Sequence, residues 1–187
     1  MEPAKLIEFL AVAEKLKCNT RHSWTSDGRR ESVAEHSWRL CLMAYLVKDE
    51  FSGLDMDKVI KMCLWHDMGE AITGDIPAFY KSADDEKTEE EVFRGLIASM
   101  PAPFNSEVME LFEEMNALET QEAKLYKALD KMETLVQHNE ASIDTWLPLE
   151  YENNLTYGEK EAAFSPYMMK MREFINKQTL EKIENKH

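Results

Sequence analysis

Four side chains of types that bind metal ions lie far apart in this sequence: His36, the adjacent pair His66 and Asp67, and Asp130. Asp130 interrupts a strongly apolar helical pattern, where an unpaired carboxylate would be costly to bury. Two imidazoles and two carboxylates suit one divalent transition metal, such as Mn, Fe, Co, Ni or Zn. Such an ion polarises a phosphoryl oxygen and lowers the pKa of bound water. These residue types therefore indicate metal-assisted hydrolysis, although spacing alone does not separate ligands from structural residues.

Start and stop signals predict the elements that carry these residues. Ser32 and Glu35 have the form of a capping box, which predicts a helix from Val33 to about Lys48 that carries His36. Asp55 is a candidate cap for the helix that ends at Gly69 and carries His66 and Asp67. The apolar spacing predicts four further helices, at 4–17, 84–100, 119–140 and 159–183. A loop is predicted at 17–30, a turn at 73–77 and a break at 148–158.

Composition predicts an all-α fold, because only 6 Gly and 6 Pro stand against many straight-chain helix formers in 187 residues. We interpret residues 1–187 as a single domain. The net charge of -14 disfavours long nucleic acid as a partner. The sequence contains neither a signal-peptide pattern nor an apolar run of the ~20 residues that a membrane span needs. These features predict a cytoplasmic protein with no membrane partner.

The order His36, His66-Asp67, Asp130 resembles the H...HD...D signature of the HD phosphohydrolase superfamily. Three local sequences resemble its 5′-deoxynucleotidase branch: Glu31–Ser37, Trp65–Glu70 and Thr73–Pro77. The resemblance makes 15–140 the motif core and 141–187 a C-terminal helical extension. It implies an all-helical fold, one divalent metal held by the four residues, and a small deoxyribonucleoside monophosphate as substrate. Relatives also form dimers, so a homodimer is an expectation.

The resemblance also suggests a catalytic residue. Glu70 lies three and four residues beyond Asp67 and His66, on the same face if the helix continues. In the family the matching Glu is needed for phosphate removal. The resemblance therefore implies that Glu70 either orients the attacking water or handles the leaving-group proton, and the sequence leaves both roles open.

Three further positions resemble substrate-binding residues of that branch. Arg21 precedes His36 by 15 residues and is a candidate phosphate clamp, since a guanidinium matches two phosphate oxygens. Trp24 resembles an aromatic residue that shapes the sugar pocket, although some relatives place it directly after the Arg, where this chain has His22. Asp75 resembles an Asp near the sugar and can accept a hydrogen bond from a 3′-hydroxyl.

Glu35 and Lys131 flank metal-ligand candidates and are expected to support them, with helix capping and surface charge as the alternative roles. Other chemistries of the superfamily are disfavoured. Diiron oxygenases need additional His residues between the HD pair and the last Asp, and none occurs between Asp67 and Asp130. The Gly-Tyr-Pro signature of cyclic-dinucleotide phosphodiesterases is also absent. A phosphatase for another small monoester and a non-catalytic nucleotide-sensing module remain alternatives.

Overall fold

The computed structural model describes residues 1–77 and 79–186. The predicted all-α class is confirmed, and a small two-stranded sheet accompanies the helices. The helices are α1 Pro3–Ala13, α2 Lys15–Cys18, α3 Val33–Leu46, α4 Met56–Trp65, α5 Glu70–Thr73, α6 Ala83–Ala98, α7 Phe104–Ala117, α8 Gln121–Glu140, α9 Glu150–Thr156, α10 Glu159–Ala162 and α11 Pro166–Glu184. Within the described ranges no helix combines the length and apolarity that crossing a bilayer requires.

Local capping signals place the helix starts as predicted. The Ser32 hydroxyl accepts a hydrogen bond from the Glu35 amide at 3.2 Å, and the Glu35 carboxylate accepts one from the Ser32 amide at 2.8 Å. Asp55 likewise accepts from the amide of Lys58 at 3.0 Å at the start of α4. Both caps satisfy amides that have no partner within the helix, so short-range sequence determines these boundaries.

Residues 17–30, predicted as a loop, contain most of a β-hairpin. Strand β1 is Thr20–Trp24 and pairs in antiparallel register with β2, Arg30–Ser32. Gly28 turns the chain with a φ of 83°. The loop prediction is wrong because both strands are short and polar and lack alternating hydrophobicity. Their stability comes from mutual pairing and from packing on α8.

Two other boundaries differ from the sequence prediction. α4 ends at Trp65, and His66 to Gly69 form a turn instead of the predicted last helical turn. Gly69 allows α6 to approach closely, because a Cβ there would lie 3.3 Å from the carbonyl oxygen of Glu89. The break predicted at 148–158 contains the short helix α9.

α8 is the central element and packs against α3, α4, α7, α11 and β1. Two apolar clusters form the core. One includes Leu40, Cys63 and Leu129, and the other includes Val33 and Met68. The metal-ligand candidates are close in sequence to residues of both clusters: His36 follows Val33, His66 and Asp67 precede Met68, and Asp130 follows Leu129. The surrounding packing holds their side chains in place.

Candidate metal centre

The structure brings the four metal-ligand candidates together. His36 comes from the first turn of α3, His66 and Asp67 from the turn after α4, and Asp130 from the middle of α8. The Nε2 of His36 lies 3.2 Å from the Nε2 of His66 and 3.3 Å from Oδ1 of Asp130. The Nε2 of His66 lies 2.9 Å from Oδ2 of Asp67. Neighbouring ligand atoms of an ion with bonds of ~2.1 Å are about 3 Å apart, so these spacings fit one metal ion.

The other ring nitrogen of each imidazole is already engaged. Nδ1 of His36 contacts the buried carboxylate of Glu133, and Nδ1 of His66 lies 2.9 Å from the carbonyl oxygen of Cys63. Both partners accept hydrogen bonds, so each Nδ1 carries a proton and each Nε2 is the ring nitrogen left to bind a metal. The two Nε2 atoms face the carboxylate oxygens of Asp67 and Asp130, which attract a cation. The donor set therefore fits a divalent metal.

Glu133 is an important residue that the sequence analysis missed. It is fully buried, and Oε1 accepts from Nε of Arg39 at 2.6 Å while Oε2 lies 3.5 Å from Nη1 of Arg21. Burial alone would raise its pKa, but His36, Arg21 and Arg39 outweigh burial and hold the pKa of Glu133 below its ordinary value. The signal was available, because Glu133 lies three residues after Asp130 on the same helical face.

Asp130 presents one oxygen to the centre and the other to Lys127. Oδ2 accepts from Nζ of Lys127 at 3.0 Å, and this leaves Oδ1 facing the two histidines. The residues that the sequence analysis proposed as supporting partners have other contacts. Glu35 caps α3 and pairs with Arg29, and Lys131 donates to the hydroxyl of Tyr157. Support for the ligands comes from Glu133, Lys127 and the Cys63 carbonyl instead.

Glu70 opens α5 directly after the ligand turn and is 5% exposed. Its Oε2 has no hydrogen-bond partner among the described residues. Burial, followed by the charges of Asp67 and Asp75, raises the pKa of Glu70 well above its ordinary value. A buried carboxyl group that is uncommitted and retains a proton can exchange that proton with a substrate.

Arg21 lies on β1 between this centre and a cavity. Nη2 donates to the Thr134 hydroxyl at 3.2 Å, and Nη1 lies 3.4 Å from Glu31 and 3.5 Å from Glu133. Burial opposes its charge, but the carboxylates of Glu133 and Glu31 outweigh burial and raise the pKa of Arg21. The guanidinium therefore stays charged, and Arg21 lines the cavity.

The cavity has a volume of about 270 Å³, close to the lower end of ligand pockets. Space of this size suits one small molecule. Its walls combine β1, α8 and α9 with residues near Asp75, and the lining residues are Arg21, His22, Ser23, Asp75, Pro77, Phe79, Thr134, His138, Glu150, Asn153, Asn154, Thr156 and Tyr157.

Arg21 and Asp75 line this cavity, as the proposed substrate roles require, but Trp24 is not among the lining residues. The ring of Trp24 packs against the guanidinium of Arg30, with Cζ of Arg30 4.6 Å from the ring centre. The carbonyl oxygen of Trp24 accepts a hydrogen bond from Nε2 of Gln137 at 2.6 Å. His22 takes the lining position. The pairing of β1 with β2 is irregular between Thr20 and Trp24, and such bulges redirect side chains.

A second cleft reaches His66 and Asp67 from the α6 and α7 side. Its cations have carboxylate partners: Lys81 pairs with Glu89, Arg94 with Glu90, and Lys127 with Asp130. An anionic substrate would have to compete with these carboxylates. Arg21 also has carboxylate neighbours, Glu31 and Glu133, so ion pairing is common to both spaces. The cleft is lined by two ligand candidates, and the cavity is lined by the two proposed substrate residues Arg21 and Asp75.

Comparison with known proteins identifies the family of this chain. The HD domain family model matches residues 13–172. The human "5'-deoxynucleotidase HDDC2" is 34% identical over 139 residues, 72% of this chain and 67% of the relative. The "5'-deoxynucleotidase hdd1" of Schizosaccharomyces pombe is 30% identical over 71% of this chain and 70% of its own. A crystal structure of a "predicted metal-dependent phosphohydrolase" from Magnetospirillum magnetotacticum superposes with a TM-score of 0.80 and 27% identity, covering 96% of this chain and 93% of that one. The chain belongs to the HD domain family.

Proposed function

We propose that this chain is a metal-dependent phosphohydrolase that removes the 5′-phosphate from deoxyribonucleoside 5′-monophosphates. One observation carries the proposal: two imidazoles and two carboxylates converge near a charged, half-buried Arg21 that lines a cavity for one small molecule. The names of the 5′-deoxynucleotidase relatives support the same reaction and substrate class.

The metal ligands in this proposal are His36, His66, Asp67 and Asp130. A divalent ion in such a set polarises phosphoryl oxygens and lowers the pKa of water. The mixed nitrogen and oxygen donors favour Mn, Fe, Co, Ni or Zn as its identity. Glu133 and Cys63 fix the orientation of the two imidazoles, and Lys127 keeps Asp130 turned towards the centre.

Arg21 binds the phosphate in this proposal, and its contact with Thr134 holds the guanidinium in place. Asp75 accepts a hydrogen bond from the 3′-hydroxyl. Water attacks phosphorus, the bond from phosphorus to O5′ breaks, and O5′ takes up a proton, which yields a deoxyribonucleoside and inorganic phosphate. Glu70 either takes the proton from the attacking water or donates one to O5′, as its buried and uncommitted carboxyl allows.

The proposal also includes one domain over 1–187, in which the motif core at 15–140 carries the metal centre and the extension at 141–187 closes the cavity through α9. A homodimer is part of the proposal as well. Large apolar side chains are exposed along one side of α3, as association between copies would require: Trp38, Leu42, Tyr45 and Leu46. The molar mass in solution, measured by light scattering, tests this assembly.

The decisive experiment is phosphate release by protein purified without metal and then supplied in turn with Mn, Co, Ni, Zn or Mg. The substrates are all deoxyribo- and ribonucleoside 5′-monophosphates. Metal-dependent release from the deoxy compounds, with little from the ribo compounds, is the expected result. Asp130→Ala protein purified in the same way is the control for contaminating phosphatases.

Equal release from both sugar series would retain the phosphatase and refute sugar selectivity. Release only from other small phosphate monoesters would support the alternative that this chain is a phosphatase for a different small monoester. Tight binding of nucleotides without release under any metal would support the nucleotide-sensing alternative and contradict the enzyme proposal.

A further inference from the structure

The end of the cavity away from the metal centre is built from buried polar side chains that the catalytic proposal does not use. Glu150 and Asn154 on α9 are 2% and 4% exposed, and His138 on α8 is 9% exposed. All three line the cavity, together with His22 from β1. Polar groups at this depth are normally fully hydrogen-bonded.

Two atoms of this cluster depart from that rule. Within the described chain, Oε1 of Glu150 and Nδ2 of Asn154 have no partner that meets full hydrogen-bond geometry. Oε1 lies 3.0 Å from Nε2 of His22 and 3.4 Å from Nε2 of His138, and the His22 contact takes one of the two lone pairs of this oxygen. Two side chains of the cavity lining thus carry one buried acceptor and one buried donor.

The remaining atoms of the two side chains are held in place. Oε2 of Glu150 accepts from the amide of Leu147 at 2.6 Å, and Oδ1 of Asn154 lies 3.1 Å from Nδ1 of His138. Burial opposes ionisation of Glu150, but its contacts with His22 and the Leu147 amide outweigh burial and lower the pKa of Glu150. Burial also lowers the pKa of His138. The free oxygen therefore belongs to a carboxylate.

Helix α8 sets the distance between this cluster and the metal centre. Asp130, Thr134 and His138 follow at intervals of four residues along one face. Eight residues of helix rise about 12 Å, the scale of one nucleoside monophosphate. In the proposed function the phosphate lies beside Arg21, so the rest of the substrate would extend along the cavity past Thr134 towards His138. The ring of Phe79, which makes an edge contact with His22 at 5.5 Å, adds an aromatic surface there.

We propose that Glu150 and Asn154 read the nucleobase edge of the substrate: Oε1 of Glu150 accepts a hydrogen bond from a base N–H, and Nδ2 of Asn154 donates one to a neighbouring base acceptor. The Watson–Crick edge of each base presents such a donor beside an acceptor. This subsite rests on the proposed function and deepens it, because it selects nucleotides over sugar phosphates that have no base. Both residues are specificity-determining and take no part in bond breaking.

The test compares equilibrium binding of each deoxyribonucleoside 5′-monophosphate with that of 2-deoxyribose 5-phosphate, which lacks the base. Calorimetry on the metal-loaded protein in the Glu70→Ala background avoids turnover. Glu150→Gln keeps the contact to the Leu147 amide but replaces the free acceptor with a donor, and Asn154→Asp makes the reverse change. Both variants conserve shape, and melting temperature reports whether they remain folded. Glu152→Gln, an exposed position on the same helix, is the matched control.

We expect each cavity variant to reduce the preference for nucleotide over 2-deoxyribose 5-phosphate by about 10- to 100-fold, the effect of mismatching one buried hydrogen bond. Glu152→Gln should leave that preference unchanged. Equal loss for both ligands, or no loss for either, would overturn the base-reading subsite. Absence of phosphate release by the unmodified protein would instead refute the proposed reaction, and the binding ratio would still test the subsite.

Discussion

Glu133 contacts Nδ1 of His36 and lies one turn after Asp130 on α8. One segment of α8 therefore carries both a metal-ligand candidate, Asp130, and the residue that orients a second candidate, His36. The contact aims Nε2 of His36 at His66 and Asp130. Carboxylate partners of this kind fix the ring orientation and increase the basicity of the imidazole.

Glu133→Gln is therefore expected to weaken metal binding by about 10- to 100-fold, the usual effect of losing such a partner. Isothermal titration calorimetry of metal-free protein with Zn or Mn measures the change in metal affinity. Glu140→Gln is the matched control, since Glu140 contacts the same Arg39 at the protein surface. Equal metal affinities in the two variants would contradict the orienting role.

Glu70→Ala should retain the metal and lose most of its turnover, by about 10²- to 10⁴-fold, because its carboxyl is buried beside the ligands but is not one of them. Asp130→Ala should lose both metal and turnover. Elemental analysis of each purified variant, beside its rate of phosphate release, separates the two roles. Full activity in Glu70→Ala would remove Glu70 from the mechanism.

Arg21→Lys is expected to lower kcat/KM for nucleotides by about 10- to 100-fold while metal content stays constant, because an ammonium cannot reproduce the two-pronged contact of a guanidinium with phosphate. Initial rates over a range of substrate concentrations provide the measurement. Arg30→Lys on the paired strand is the control, since Arg30 packs on Trp24 and is not a lining residue. The phosphate role would be wrong if both variants retained the parent kcat/KM.

Trp24→Phe tests the sugar-pocket role that the resemblance implied. Because the ring packs beneath Arg30 and does not line the cavity, the ratio of deoxyribo to ribo turnover should stay at its parent value. His22→Ala alters the cavity wall and should raise KM. A collapse of sugar selectivity in Trp24→Phe alone would restore Trp24 as the residue that excludes the 2′-hydroxyl.

Gly158→Ala should destabilise the fold by about 2–4 kcal/mol, through left-handed backbone strain and overpacking. Gly158 has a φ of 77°, and a Cβ there would lie 2.5 Å from Cε of Met132 and 3.0 Å from Cβ of Lys131. Thermal unfolding measures the loss, at about 2–4 °C per kcal/mol for a chain of this size. Gly53→Ala meets nothing within 4 Å and should change the melting temperature far less.

Local interactions made part of this molecule predictable. The caps at Ser32 and Asp55 involve residues three apart, so the starts of α3 and α4 follow from short-range chemistry. The failures depended on distant partners. β1 needs β2 and α8, and α9 lies in a segment where Pro148 and Gly158 predicted only a break.

The sequence alone determined the helical class and the set of metal-ligand candidates, because helix propensity and metal-ligand chemistry are properties of the residues themselves. These candidates are His36, His66, Asp67 and Asp130. Tertiary structure alone decided that Glu133 reaches His36 and that His22, not Trp24, lines the cavity. It also brought Glu150 and Asn154 to the same cavity as Arg21. The contact between Glu133 and His36 joins residues 97 positions apart, and only the packing of the helices and of the irregularly paired strand β1 sets which side chains then face one another.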